Sequence, residues 1–344
     1  MRTTRPTLKD VAELSGASLR TVKKVMSGDH SVKDKTRQAV LQAATELHYT
    51  RNRAATALAR NKVLHIAVVY SQTTDAYFPE VEAGFKNALR DFGDYGLDLE
   101  FCLTHKTGSE AQRVILESIL HRDDIEGVIL QPFSTKHLND AIDALVDAGK
   151  PVVTFGADAP HSKRLCYVGP DAYKSGRIGG QILANYIGKQ GKVFVINQGD
   201  NHMATRERSR GFLDRIHEHY PNIDAFEMNL PENSNLYYDM VLSVMENEKI
   251  SGIFCTDANT VLAGRVLHDL HEKNVSVVGF DISKNSIELM RDGYIKVIIE
   301  TKPEITSFQA AKIMYEYLID RIIPQEINYT PIYIMTSECF YGEA

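Results

Sequence analysis

Six residues within one short stretch have the chemistry to grip a polyanion. Ser18, Leu19, Arg20, Thr21, Lys23 and Lys24 lie together in SLRTVKKVM. An arginine fork matches the N7 and O6 acceptors of guanine. Lysine ammonium groups neutralise phosphate, and hydroxyls donate to it. A second set lies far downstream: Tyr77, Phe78, Arg206, Asp257 and Asp281. Aromatic faces stack on the C–H face of a ring. Arginine donates a forked pair of hydrogen bonds to hydroxyls or an anion, and carboxylates accept from hydroxyls. Neither set contains a catalytic arrangement.

The first set needs a helix to present it. Thr7 and Asp10 form a capping-box signature opening a helix whose Leu8, Val11 and Ala12 point inward. Ser15-Gly16-Ala17-Ser18 reads as a turn, and Ser18 caps a second helix with Leu19, Val22, Val25 and Met26 at helical spacing. Arg20, Thr21, Lys23 and Lys24 then face outward. Ser27-Gly28-Asp29 ends that helix, and Ser31 with Asp34 starts a third, lined by Thr36, Val40, Ala43, Ala44 and Leu47. Two helices across a glycine-containing turn, the second with a basic outer face, predict a helix-turn-helix that reads DNA. Charge agrees. Residues 1–62 hold 13 Lys/Arg against 5 Asp/Glu, and the rest hold 26 against 40, within totals of 39 and 45. A basic head on an acidic body directs the duplex to the head.

The second set needs strand ends. From Leu64, short apolar runs alternate with amphipathic stretches. Strands are predicted at 64–70, 98–104, 126–131, 151–155, 192–198, 225–230, 252–256 and 275–280. Helices are predicted at 78–92, 110–121, 136–148, 171–187, 204–218 and 304–321. Such alternation predicts parallel sheets covered on both faces, in two α/β lobes. Ligands gather at the carboxyl ends of parallel strands, where Tyr77, Phe78, Asp257 and Asp281 fall and where Arg206 leads its helix.

Other classes find little support. The chain lacks a G-x-S-x-G elbow, a G-x-x-x-x-G-K-[ST] loop and H-E-x-x-H, so no enzyme is expected. Ser175-Gly176-Arg177-Ile178-Gly179-Gly180 lacks dinucleotide spacing. His217/His219 and His268/His271 read as surface pairs, so no metal and no cofactor is expected. Four cysteines without a C-x-x-C, namely Cys102, Cys166, Cys255 and Cys339, read as buried, reduced core residues. No leader-like apolar segment and no run near the ~18 residues of a membrane span is seen, so a cytoplasmic, nucleoid-associated protein without membrane contact is expected.

The stretches TLKDVAELSGASLRTVKKVMSG, VKDKTRQAVLQAATELHYTRN and RAATALARNK resemble the lactose-repressor (LacI-type) family of bacterial regulators. PVVTF, YVGPDAYKSGRIGG, ATRERSRGF, FCTDANTVLAG and VVGFDISKNS resemble periplasmic sugar-binding proteins and the matching effector domain of those repressors. The resemblance spans the whole chain. It implies a three-helix headpiece over 1–50, a hinge helix over 51–62, and a two-lobed type I effector domain over 63–344. Lobe 1 would cover 63–167 and 302–328, and lobe 2 168–301 and 329–344, with crossings near Val168, Glu300–Lys302 and Tyr329. The hinge residues Asn52 and Arg53 would contact DNA, and Leu58, followed by Ala59, would wedge into the minor groove. Glu300, at the second crossing, joins the expected ligand set.

Two departures from the family pattern bear on specificity. Lys23-Lys24 stands where serine then arginine is frequent. After PVVT, Phe155-Gly156-Ala157 replaces an acidic residue and arginine, leaving Asp158 one step late as the substitute. The resemblance implies a transcriptional repressor of carbohydrate-related genes that binds a palindromic operator as a homodimer, with a tetramer as the alternative. Its effector would be small and sugar-like. The alternatives are a purine or sugar-phosphate effector, an activator or co-repressor-dependent mode, and, least favoured, a solute receptor without DNA function.

Overall fold

The computed structural model describes residues 6–26, 31–47, 49, 63–71, 77–104, 108–133, 137–197, 203–229 and 236–342. Its first unit is helical: α1 (Leu8–Ser15), α2 (Leu19–Met26) and α3 (Asp34–Glu46). The α1 capping box forms as the sequence indicates, with Thr7 and Asp10 bonding reciprocally, and Gly16 turns the chain at φ 66°. Ser18 caps α2 through the Thr21 amide at 3.1 Å. The third helix differs from expectation. Lys33 takes the cap position with no side-chain bond, and the Ser31 hydroxyl instead accepts from the Lys24 ammonium at 2.9 Å. Val11, Val22, Val25, Val40, Ala43 and Ala44 close the core of this unit.

Two six-stranded sheets follow. The first contains β1 (Leu64–Ser71), β2 (Leu97–Thr104), β3 (Ile125–Leu130), β4 (Val152–Phe155), β5 (Cys166–Gly169) and β11 (Ile327–Tyr329), in the order β11-β5-β4-β3-β1-β2. All its pairings are parallel. Helices α4 (Tyr77–Phe92) and α12 (Pro303–Asp320) cover one face, where Phe85, Phe155 and Tyr315 are fully buried. Helices α5 (Ser109–Leu120) and α6 (Asn139–Asp147) cover the other. Near-continuous burial along β1, β3 and β4 explains their unbroken apolar runs, since a strand covered twice has no solvent side.

The second sheet holds β6 (Gly191–Asn197), β7 (Ile223–Asn229), β8 (Ile250–Cys255), β9 (Ser276–Phe280), β10 (Ile295–Glu300) and β12 (Tyr333–Met335), in the order β12-β10-β9-β8-β6-β7. Only β12 runs antiparallel to its neighbour. Helices α7 (Ala172–Tyr186), α8 (Met203–His219), α9 (Tyr237–Asn247), α10 (Thr260–Asp269) and α11 (Lys284–Arg291) pack around it. The chain passes between the sheets three times: at Pro170–Asp171, at Thr301–Lys302 and between β11 and β12. Four strands absent from the sequence reading, β5, β10, β11 and β12, lie at these passages.

The glycines of α7 have a packing reason. A Cβ on Gly176 would sit 1.9 Å from the Arg208 carbonyl oxygen, and one on Gly211 would sit 2.1 Å from that of Tyr173. The helices α7 and α8 therefore touch backbone to backbone. Cys166 and Cys255 are buried, as read from sequence, but Cys102 is half-buried and Cys339 exposed. Cys102 lies on the edge strand β2, and Cys339 lies in a short terminal turn. No helix among the described residues is long and apolar enough to cross a membrane.

Candidate functional site

Groups beyond the carboxyl ends of strands in both sheets come within electrostatic reach of one another, Tyr77 of Asp281 and Arg208 and Glu80 of Glu300. This brings three of the five downstream residues, Tyr77, Asp257 and Asp281, to one cleft between the lobes. From the first sheet's side, Tyr77 opens α4, and its hydroxyl accepts a hydrogen bond from Gln131 Nε2 at 2.9 Å. Gln131 follows β3 directly. Gly156, at φ 68°, follows β4, and a Cβ there would lie 2.8 Å from the Tyr77 hydroxyl. The small residue in place of the family's acidic one thus makes room for Tyr77 and Gln131. Burial raises the Tyr77 hydroxyl's pKa, Asp281 raises it further, and Arg208 opposes both. Asp281 and Arg208 both belong to the opposite lobe.

The second sheet supplies Arg208, Asp257 and Asp281. Arg208 is buried on α8; its Nη1 donates to the Thr256 carbonyl at 2.8 Å, and its guanidinium lies 3.8 Å from the Phe280 ring centroid. Its Nε is buried with no hydrogen-bond partner. Asp257 is buried after β8, with one oxygen accepting from the Asn259 amide at 3.0 Å and Oδ2 without a partner. Burial pushes its carboxyl up, opposed by that amide and by Arg208. Asp281 sits at φ 67°, a left-handed conformation held by its surroundings. Burial pushes its carboxyl up to about 6; Arg208 pulls it down, while Glu300, Asp257 and Glu80 push it up. Glu80, on α4, adds a buried Oε2 without a partner. Orphaned buried polar atoms of both signs are costly unless another molecule satisfies them.

Four of the expected ligand residues play other parts. Arg206 is exposed on α8 and does not share that helix's buried face. Phe78 is a core residue that stacks on Tyr70 with centroids 5.3 Å apart. Asp158 is consumed by Arg164, which donates Nη2 to Oδ2 at 2.7 Å and Nε to Oδ1, while Thr154 and Ala159 donate to the same carboxylate. Glu300 is buried and accepts from three backbone amides. Sequence reading missed Arg208, Gln131 and Glu80. The signal for Arg208 was present: Thr205, Arg208, Phe212 and Ile216 recur at helical spacing on one buried face, and Arg206 does not share it.

In the head, Arg20 and Lys23 are exposed on α2, and Lys24 is half-buried. Leu19 is half-buried at the helix start. The Ser18 and Thr21 hydroxyls bond each other at 2.8 Å, so both serve the cap. Asn52, Arg53, Leu58 and Ala59 lie outside the described residues.

Comparison with known proteins sets this geometry in context. Residues 7–52 match the model for bacterial regulatory proteins of the lacI family, and residues 66–321 match that for the periplasmic binding protein domain. The sucrose operon repressor of Lactococcus lactis subsp. lactis is 26% identical over 320 residues, covering 92% of each chain. The HTH-type transcriptional regulator CelR of Thermobifida fusca is 28% identical over 299 residues, covering 82% of this chain and 84% of its own. A crystal structure of a putative LacI transcriptional regulator from Bacteroides fragilis superposes with a TM-score of 0.74 at 18% identity, covering 80% of this chain and 98% of that one.

Proposed function

The chain belongs to the periplasmic binding protein domain family and carries a lacI-family head, and on that premise we propose that it is a transcriptional repressor whose grip on a DNA operator is set by a sugar-like ligand in the cleft. It acts by binding and not by catalysis. The observation that carries the ligand half is the buried, unsatisfied pair of Arg208 Nε and Asp257 Oδ2. One donor and one acceptor, both desolvated, suit a hydroxyl group, which can accept from the first and donate to the second. Around them stand the carboxyls of Glu80, Asp257 and Asp281 against Arg208, with Glu300 behind them and Lys302 beside Glu80. This excess of carboxylate repels a phosphate ester and favours a neutral polyol. The sucrose operon repressor among the relatives supports a carbohydrate role.

For the DNA half, Arg20 and Leu19 read base edges, and Lys23 and Lys24 bind phosphate, with Leu58 entering the minor groove from the linker. One short helix reads too few base pairs for specificity, so the protein works as a homodimer on a palindrome, in the cytoplasm. Lobe closure on the ligand then biases operator binding by its differential affinity, typically ~1–3 kcal/mol. The test has two arms. Fluorescence anisotropy on palindromic operators should show steep salt dependence, altered by one member of a panel of neutral sugars, sugar phosphates and purines. Affinity for every palindrome that is weak and indifferent to sequence would reject the regulator. A phosphorylated or purine hit alone would reject the neutral-polyol reading.

A further inference from the structure

We infer that Glu300 is a positioning residue that ties the ligand loop at Asp281 to the interlobe crossing at Thr301–Lys302, so that the pose of one fixes the angle of the other. This rests on the ligand-cleft reading above, although its geometry stands apart from any ligand. Glu300 ends β10 and is buried. Its Oε1 accepts from the Thr301 and Lys302 amides, each at 2.8 Å. Its Oε2 accepts from the Ile282 amide at 3.2 Å. Both flanking segments hold left-handed residues that no side chain prefers: Asp281 at φ 67° and Lys302 at φ 48°. One carboxylate therefore organises two strained bends, one in the ligand loop and one where the chain returns to the first sheet.

The arrangement also reaches the first lobe. Lys302 leads directly into α12, which packs on α4, and a Cβ on Gly84 of α4 would lie 2.1 Å from the Glu304 carbonyl oxygen. Glu80 on α4 has its carboxyl pushed up first by burial and then by Glu300. A displacement of the Asp281 loop thus pulls on Glu300 Oε2, and the opposite oxygen hands that pull to the crossing. Three backbone donors on one buried anion leave little slack, because charge-assisted bonds are the strong ones.

Glutamine is the discriminating substitution. Glu300→Gln keeps size but turns one acceptor oxygen into an NH2 donor, which must face an amide N–H. The full-length protein, free of DNA and ligand, is labelled with spin probes at Val114→Cys on α5 and Leu270→Cys beside α10, in a background with Cys102→Ser and Cys339→Ser that leaves only the buried Cys166 and Cys255. The parent should give one narrow interlobe distance distribution. Glu300→Gln should broaden it or add a second population, and exchange of the Ile282, Thr301 or Lys302 amides should quicken by roughly tenfold or more. Glu300→Asp, which keeps both acceptor oxygens on a shorter arm, should fall between. Distributions in both variants as narrow as the parent's would overturn the inference, even with faster amide exchange or a lower Tm. Neither readout depends on an operator or an effector, so failure of the regulator reading would leave this result standing, and the reverse also holds.

Discussion

The two walls of the cleft differ in how far their polar atoms are already satisfied. On the first lobe, Tyr77 bonds Gln131, and Asp158 is saturated by Arg164, Thr154 and Ala159. On the second, Arg208 and Asp257 each leave one buried atom unpaired. Among the described residues the first wall leaves open one buried carboxylate oxygen, Glu80 Oε2, whereas the second leaves both a donor and an acceptor, Arg208 Nε and Asp257 Oδ2. Under the proposed function, the second wall, which offers a donor and an acceptor together, is the one that seats a ligand hydroxyl.

Substitutions can break or sharpen this contrast. The largest effect should be on stability, from Asp158→Ala. Among the described residues it leaves the Arg164 guanidinium, 3% exposed, with Glu326 at 3.9 Å as its one carboxylate partner, and should cost about 3–5 kcal/mol by denaturant unfolding. If instead it leaves stability intact and abolishes ligand affinity, the first wall also reads the ligand. Next, Arg208→Ala removes the cation of the second wall. It should weaken the sugar identified in the panel by roughly 30–1000-fold by calorimetry, as expected for a desolvated charged contact worth about 2–4 kcal/mol. Retained affinity would move the site elsewhere.

A smaller effect concerns pH. The Asp281 carboxyl is raised from its ordinary 3.8 to about 6 in the folded protein. The folded state therefore holds this proton more tightly than the unfolded chain. Its contribution to stability is fully present below about 4 and is lost as pH rises to about 6. Hydroxyl donors of a ligand favour the charged form, so affinity should rise by about tenfold or less between pH 5 and 7. Both slopes should vanish in Asp281→Asn; a slope that survives there belongs to another group. The smallest effect should come from Arg206→Ala, with affinity within about twofold of the parent, because an exposed side chain away from the cleft contributes little.

The fold was legible because burial imposes period. Strands covered on both faces read as unbroken apolar runs, and the Thr7–Asp10 box announced the first helix through local chemistry alone. What the sequence indicates for the candidate site reaches the strand end but not the atom. Asp257 and Asp281 follow β8 and β9, as their positions in the sequence indicate. Arg206 is nominated from the sequence because it leads its helix, whereas the arginine on the buried face of α8 is Arg208. Asp158 looked available because its partner, Arg164, arrives from beyond a turn that has no sequence signature. Glu300 was placed correctly at a crossing, but its three bonds are to backbone amides, which no residue type advertises. The edge strands β11 and β12, three residues each, are too short to show alternation.

The contact between α7 and α8 has an evolutionary corollary. With Gly176 against the Arg208 carbonyl and Gly211 against that of Tyr173, the two helix backbones meet at these positions with no side chain between them. Arg208 is in effect bolted to α7, whose first residue follows the Pro170–Asp171 passage. Under the proposed function, new ligand preferences in descendants of this chain arise by exchanging side chains around a guanidinium held in place by this contact. A bulkier residue at either glycine would jolt the passage and the arginine together, and selection would meet it as a regulator that no longer answers its signal.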